Sequence, residues 1–231
     1  MQRVARMYHR AVHVHGVRGL AQIARRMWVR RDIDTFDREH GVVTLGGDAG
    51  ADLQLADPSH AIFGSRSQPS TARGVHAILT AQPLDYPNLT LIDVGCGKGR
   101  VVLLASLYPF RRVIGVEYGR NLVEAAQANL VRWAHPEQRC RDLSVVWADA
   151  TIYEFPNEPL LIYLFNPFER PVMDRFVAHL EQSMRDHPRP CTVLYQNPMH
   201  VEAWEQSAVF TRGVRTDWSA IFHHGAFNGC G

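Results

Sequence analysis

The sequence predicts an α/β fold in which helices cover both faces of a mostly parallel β-sheet. Two observations support this fold class. Short apolar runs of strand length alternate with segments of helical periodicity along residues 70–223. The first of these runs leads directly into a glycine-rich turn and then into a helix. Such alternation is typical of parallel sheets whose crossover helices lie on the two faces.

The predicted elements follow one another in a regular order. A first helix with an inward apolar face is expected over Ser70–Gln82. Five strands are then predicted, at Leu89–Val94, Arg112–Val116, Leu143–Ala148, Leu160–Phe165 and Cys191–Tyr195. The helices between them are predicted at Gly99–Tyr108, Asn121–Ala134 and Pro171–Arg185. Two last strands, near Ala208–Val214 and Trp218–His223, predict an antiparallel hairpin at one edge of the sheet.

Residues 1–68 are predicted to be an N-terminal extension of the main domain, which spans residues 69–231. Residues 1–31 have the apolar spacing of one or two short helices, and their eight arginines precede the first acidic residue, Asp32. These helices either contact nucleic acid, an acidic partner or a membrane surface, or dock on the domain with their arginines in solvent, which we favour. The glycine-rich stretch from Asp37 to Ser70 is predicted to be a loop that could serve as a lid.

Composition bounds the class of protein. The chain is 46% hydrophobic and 21% charged, and its apolar runs are far too short for a transmembrane helix. Its four cysteines contain no Cys-x-x-Cys pair, and no secretion signal opens the chain. We therefore expect a cytoplasmic protein without a metal site.

The run from Leu89 to Arg100 carries the most specific motif. It is a strand, a glycine turn and the start of a helix, so backbone N–H groups can approach a ligand at the carboxyl edge of the sheet. Gly95, Gly97 and Gly99 give the spacing Gly-x-Gly-x-Gly, and Arg100 stands where a dinucleotide fingerprint needs glycine. The spacing favours S-adenosylmethionine over NAD. The phosphate-loop spacing of nucleotide triphosphatases is absent.

Acidic residues end the next two strands. Glu117 can accept hydrogen bonds from both hydroxyls of a ribose, or can instead cap the helix that follows. Asp149 can accept a hydrogen bond from the exocyclic amine of adenine, with the Ala150 backbone N–H beside it, or can instead be a turn residue. Their joint occurrence, in order on successive strands after the glycine turn, favours cofactor binding.

Over Thr71–His223 the chain resembles the class I, Rossmann-like S-adenosylmethionine-dependent methyltransferases. It is most similar to uncharacterised bacterial members whose fourth strand ends in Asn-Pro-Phe. The resemblance implies a seven-stranded sheet, S-adenosylmethionine as cofactor and methyl transfer as the reaction. It also implies these cofactor contacts: Asp93, Gly95, Gly97 and Gly99 in the first motif, Glu117 for the ribose, and Asp149 with Ala150 for adenine. Cys96, within the glycine turn, and Tyr118, directly after Glu117, are expected contacts as well.

Strand four ends in Asn166-Pro167-Phe168, beside the expected methyl position. This is similar to the Asn-Pro-Pro-aromatic motif of amino-group methyltransferases, although it has a single proline. We expect Asn166 to contact both cofactor and acceptor, with Pro167 and Phe168 beside it; alternatively, the motif is a turn with Phe168 in the core. Beyond strand five, His200 is a candidate general base, or else a structural histidine.

The leading hypothesis is methyl transfer to an amine or hydroxyl group of a small molecule or a protein side chain. A second hypothesis is a nucleic-acid-modifying methyltransferase, or a nucleic-acid-binding protein, that uses the arginine-rich N-terminus. A third is a methyltransferase fold that only binds a partner, against which the intact acidic residues argue.

Overall fold

The structure is a computed structural model, and it describes residues 35–45, 70–81 and 83–225. Seven strands form one sheet in the order β3-β2-β1-β4-β5-β7-β6. The strands are β1 (Thr90–Val94), β2 (Arg112–Glu117), β3 (Leu143–Trp147), β4 (Leu160–Phe165), β5 (Cys191–Gln196), β6 (Thr211–Arg215) and β7 (Ser219–His224). The helices are α1 (Ala72–Leu79), α2 (Arg100–Ala105), α3 (Arg120–Arg132), α4 (Arg170–Asp186) and α5 (Glu202–Glu205).

Strands β1 to β5 are parallel to one another, whereas β7 pairs antiparallel with β5 and with β6. The fold is therefore the predicted one, a mostly parallel seven-stranded sheet closed at one edge by an antiparallel hairpin. Because successive side chains of a strand point to opposite faces, each central strand serves two hydrophobic cores. In β1, Leu91 belongs to one core and Ile92 to the other.

Each core lies under its own set of helices. Buried residues of α1, α2 and α3 belong to the first core. The second core is closed by α4 and α5, where Phe176 and Trp204 are both 0% exposed. Within the described residues, no helix has both the length and the apolar composition needed to span a membrane.

The predicted strands β1 to β5 agree with the observed ones to within one residue at either end. The hairpin is confirmed, but its first strand begins at Thr211 and not near Ala208. Ser207 explains the difference, because its hydroxyl accepts the backbone N–H groups of Val209 (3.1 Å) and Phe210 (2.9 Å) and holds them in a turn. The short helix α5 and the 3₁₀ turn Tyr86–Asn88 were not predicted.

The loop predicted from Asp37 to Ser70 is wrong at its start, because residues 35–40 are helical. Phe36 packs its ring 5.8 Å from that of Trp133, and both side chains lie in the first core. Tertiary packing therefore orders a segment whose own composition does not predict a helix. Residues 46–69 of this loop and the arginine-rich residues 1–31, with their predicted helices, lie outside the described residues, so the lid and the nucleic-acid hypothesis stay predictions.

The buried Arg100 side chain binds residues 35–45 to the rest of the domain. It is 3% exposed, its guanidinium lies 4.1 Å above the Phe36 ring, and Nη1 donates to the Thr44 hydroxyl at 3.0 Å. The same nitrogen is 3.5 Å from the Asp37 carboxylate. Asp37 in turn accepts the backbone N–H groups of Thr44 (2.7 Å) and Leu45 (2.8 Å), which closes the segment on itself.

Asn129 ties the same segment to the glycine turn. Its side chain, 1% exposed, accepts the Val43 N–H at 2.9 Å. Its Nδ2 group donates to the Val43 carbonyl and to the Lys98 carbonyl, each at 3.0 Å. One buried amide thus holds residues 35–45 and the glycine turn in a common position.

We predict that Phe176→Ala removes about 3–5 kcal/mol from the free energy of unfolding, because the ring packs against Phe155, Phe168 and Trp204 in the second core. Urea titration followed by circular dichroism measures the change. Val131→Ala, at a side chain that is 86% exposed, is the control and should stay within about 0.5 kcal/mol of the wild type. Equal stability of both variants would contradict the assignment of this core.

We predict that Asn129→Ala releases residues 35–45, because two partly buried hydrogen bonds to Val43 and one to Lys98 are lost, at about 0.5–1.5 kcal/mol for each bond. Amide hydrogen exchange at Val43 should accelerate at least tenfold. Gln127→Ala is the control, since it removes only the bond from an exposed amide of the same helix to the Val145 carbonyl. Unchanged protection at Val43 in Asn129→Ala would show that the amide does not hold the segment.

Candidate functional site

The candidate site lies where the parallel strands end. The carboxyl ends of β1 to β5 share one edge of the sheet, and short contacts join the loops that leave them. The Gly95 N–H donates to the Val116 carbonyl at 2.8 Å, and the Ala148 N–H donates to the Glu117 carbonyl at 3.0 Å. A Cβ atom on Gly95 would lie 2.7 Å from Cβ of Pro167, so the glycine turn touches the loop after β4. The structure thus brings the predicted motifs of four strands together.

The glycine turn has a backbone that other residues rarely adopt. Gly95, Gly97 and Gly99 have φ angles of 73°, 55° and 81°, all in the left-handed region. Gly99 is also the residue that precedes α2. The predicted glycine spacing therefore reflects a requirement of the backbone, and the turn forms a cradle without side chains at these three positions.

Glu117 binds this turn directly. Its Oε2 atom accepts the Gly97 N–H at 2.9 Å, and Oε1 accepts the N–H groups of Tyr118 and Gly119, each at 2.8 Å. Burial raises its pKa, and the three N–H groups oppose that rise. The bond to Gly119, which precedes α3, matches the helix-capping alternative. A carboxylate offers about four lone-pair directions, so two ribose hydroxyls would have to displace at least one of these N–H groups.

Asp93 is the least satisfied polar group of the site. It is 3% exposed, and within the described part of the chain its Oδ2 atom has no hydrogen-bond partner. Burial, followed by the nearby charge of Glu117, raises its pKa well above the usual range. A buried carboxyl oxygen without a donor is costly, and a ligand that brings a donor would relieve that cost.

The third predicted position has the geometry of a turn. Asp149 Oδ1 accepts the backbone N–H of Thr151 at 2.8 Å and its hydroxyl at 2.7 Å. The Ala150 side chain is buried in the second core. These bonds agree with the turn alternative, and the preceding residue, Ala148, donates its backbone N–H to the Glu117 carbonyl. The adenine contact stays a prediction.

Two of the predicted cofactor contacts, Cys96 and Tyr118, use some of their groups for contacts within the protein. The Cys96 side chain points into the protein, since a Cβ on Gly115 would lie 2.6 Å from its sulfur, and burial raises the pKa of the thiol well above its usual value. Cys96 could therefore reach a ligand only through its backbone. Tyr118 donates its N–H to Glu117 and accepts the indole N–H of Trp147 at its carbonyl, at 2.9 Å.

Asn166 has a strained backbone and a fixed side chain. Its φ is 44°, in the left-handed region that asparagine tolerates better than most residues. The Tyr195 hydroxyl donates to its Oδ1 atom at 2.9 Å. Phe168 packs 5.7 Å from the Phe176 ring, which matches the alternative of a core residue. Pro167 is thus the part of the motif that contacts the glycine turn.

His200 lies beyond β5, near the same edge. Its Nε2 atom is 3.6 Å from the Glu169 carboxylate, and its backbone N–H donates to the Tyr195 hydroxyl at 3.3 Å. His223 and His224, on β7, bond separately to Thr192 Oγ1 and to the Val209 carbonyl. Among the residues that the structure describes, no cluster of three or more His, Cys, Asp and Glu could hold a metal ion.

Sequence reasoning missed three residues around the site: Tyr195, Asn129 and Arg100 in its structural role. Tyr195 was predicted only as the end of a strand, yet it connects the loops after β4 and β5. A polar amide amid the apolar positions of a helix, as at Asn129, was the available signal, because a buried amide needs partners.

No protein-family model matches the chain. Among curated proteins, the chain is 32% identical over 110 residues to trans-aconitate 2-methyltransferase of Methylobacterium radiotolerans, which covers 47% of this chain and 38% of that protein. It is 35% identical over 78 residues to ribosomal protein L11 methyltransferase of Shewanella pealeana, covering 34% of this chain and 25% of that protein. The chain therefore aligns with well under half of each relative.

A solved structure of a predicted N6-adenine-specific DNA methylase from Listeria monocytogenes superposes with a TM-score of 0.51 at 12% identity, covering 69% of this chain and 52% of that chain. At such low identity the likeness concerns the fold alone. Together with the strand order and the antiparallel edge hairpin, it identifies the architecture. The chain has the Rossmann-like fold of the class I methyltransferases.

Proposed function

We propose that the chain is an S-adenosylmethionine-dependent methyltransferase. The observation that carries the proposal is the meeting of a left-handed glycine turn with two acids, the buried Asp93 and the half-buried Glu117, at adjacent strand tips. Hydrogen-bond acceptors beside a bare backbone cradle suit a ligand that has hydroxyl and amine donors. The similarity of segments of the chain to two curated methyltransferases supports the same activity.

The described residues fit the cofactor at three points. The glycine turn would receive the amino acid part of the cofactor, and the orphaned Asp93 oxygen could accept a donor beside it. Glu117 would exchange a backbone N–H for the ribose hydroxyls. Asp149 and the Ala150 backbone would contact the adenine.

The bound cofactor would supply a methyl group activated by its sulfonium. The residues of this chain then have to orient the acceptor, exclude water and manage a proton. Asn166 and Pro167 would position the acceptor at the tip of β4, next to the glycine turn. Phe168 would support them from the core, and His200, paired with Glu169, would accept a proton where the acceptor has one to lose.

We propose an amine or a hydroxyl group as the acceptor, on a small molecule or a protein side chain. The names of the two curated relatives include a small molecule, trans-aconitate, and a protein, ribosomal protein L11. The proposed site lies at the strand ends, where backbone groups and the Asn166 amide would meet the acceptor.

Isothermal titration calorimetry with S-adenosylmethionine tests the proposal. We predict micromolar binding by the wild type and a loss of at least 100-fold for Gly97→Arg, because a side chain at φ 55° is strained and would occupy the cradle. Val131→Arg places the same charge at an exposed site and should bind like the wild type. Absence of wild-type binding, or equal binding by Gly97→Arg, would refute the proposal.

We predict opposite effects of Asp93→Asn on stability and on binding. Burial raises the folded-state pKa of Asp93, so the wild type loses stability as the pH rises from the unfolded value, about 4, through the folded one. Asparagine does not titrate, so the variant should be more stable than the wild type at pH 8, with the difference vanishing below pH 4.

Binding of S-adenosylmethionine to Asp93→Asn should weaken about tenfold, as expected for one lost charge-assisted hydrogen bond. Urea titrations at pH 4–8 and calorimetry measure the two effects. The control is Asp142→Asn, at an exposed carboxylate. A variant that is less stable than the wild type at pH 8 would show that the buried carboxylate is satisfied in the folded protein.

A further inference from the structure

A directed chain of hydrogen bonds joins the loops after β4 and β5. The Tyr195 side chain is 0% exposed, and its hydroxyl accepts the His200 backbone N–H at 3.3 Å and donates to Asn166 Oδ1 at 2.9 Å. Burial raises the pKa of Tyr195 to about 12, against the donation of the His200 and Met199 N–H groups, so the hydroxyl keeps its proton at neutral pH. Since a backbone N–H can only donate, the hydroxyl proton goes to Asn166.

This direction determines which atoms Asn166 offers to a ligand. Its carbonyl oxygen accepts from Tyr195. The backbone N–H groups of Met199 and His200 use the lone pairs of the same hydroxyl, so a carboxamide rotated by half a turn would place two donors against each other. The two N–H bonds of Nδ2 have no hydrogen-bond partner within the described part of the chain. Asn166 is partly exposed, and Pro167 beside it contacts the glycine turn. The side chain thus carries a donor without a described partner at the tip of β4, the strand end where we propose that the acceptor binds.

A donor at this point discriminates between acceptor atoms. A neutral amine has one lone pair, which must attack the methyl group, and its N–H bonds need acceptors for positioning; an Nδ2 donor would occupy that lone pair. An oxygen nucleophile has at least two lone pairs, so one can accept from Nδ2 while another attacks. The free atoms of Asn166 therefore match oxygen and oppose nitrogen.

We infer that the methyl acceptor is an oxygen nucleophile, a carboxylate or a hydroxyl, held by the Nδ2 group of Asn166 in the orientation set by Tyr195. The inference rests on the proposed methyltransferase function. In the reaction an oxygen lone pair forms the new O–CH₃ bond while the C–S bond of S-adenosylmethionine breaks, and its electron pair stays on sulfur, giving S-adenosylhomocysteine. A carboxylate loses no proton, whereas a hydroxyl passes its proton to a base, for which His200 is the candidate.

Asn197 provides a matched comparison on the neighbouring strand. It also precedes a proline, has a φ of 51° and lies at the same edge of the sheet. Its backbone N–H donates to the Trp218 carbonyl at 2.8 Å, and no described tyrosine hydroxyl bonds to its side chain. The same substitution at Asn166 and Asn197 therefore separates the oriented amide from the shared backbone conformation.

The full-length enzyme with methyl-tritiated S-adenosylmethionine and an extract of the cells that produce it tests the acceptor class. We expect enzyme-dependent label in O-methyl products, with esters distinguished from ethers by their release in mild alkali. Asn166→Asp replaces the donor by a second oxygen and should lower this transfer at least 100-fold, whereas Asn197→Asp should change it less than threefold. Label in N-methyl products, retained or increased in Asn166→Asp, would overturn the inference.

A second measurement tests the orientation without any acceptor. In the ¹⁵N-labelled S-adenosylhomocysteine complex, the Asn166 carboxamide signal is identified by its loss in Asn166→Asp. Tyr195→Phe removes the proton that orients the amide and should shift or broaden that signal; an unchanged signal would overturn the inference. Calorimetry on the same samples keeps the two ideas apart, since absent S-adenosylhomocysteine binding refutes the methyltransferase function, whereas N-methyl products with intact binding refute only the acceptor class.

Discussion

The contact on which the site depends is the carboxylate of Glu117 against the glycine turn. Three left-handed glycines have no side chains with which to hold their own conformation, so backbone bonds to Val116 and the Glu117 side chain of the neighbouring strand hold the turn. Glu117 does so by accepting the Gly97 N–H while it also receives the start of α3 through Gly119. One carboxylate therefore joins the glycine turn after β1 to the start of α3.

That arrangement places two acids close together in a buried region. Asp93 and Glu117 both have raised pKa values, mainly because burial disfavours their charged forms. Such a pair costs folding free energy, and functional sites are where proteins commonly retain that cost. The glycine turn is held from its other side by the Asn129 amide, which also fixes residues 35–45. A change in the position of residues 35–45 would therefore also move the glycine turn.

On the proposed acceptor side of the site, two Asn-Pro steps restrict the backbone after β4 and β5. Asn166 and Asn197 each precede a proline, and the residue before proline is kept out of the right-handed helical region. Both adopt the left-handed conformation and end their strands abruptly. Only Asn166 receives the Tyr195 hydroxyl, so two similar turns have different side-chain environments. The identity of the side chain opposite each turn, and not the turn itself, distinguishes them.

The sequence by itself determined the sheet, the helices and the order of the acidic strand ends. Periodicity is a local property, and a glycine at Gly95 or Gly97 is required by the backbone of the turn whatever surrounds it. Only the tertiary structure decided that residues 35–40 are helical, that Asn129 bridges two segments and that Tyr195 orients Asn166. These features depend on contacts between residues far apart in the chain, 86 positions for Asn129 and Val43. No local pattern encodes such contacts, because their free energy comes from partners that folding alone brings together.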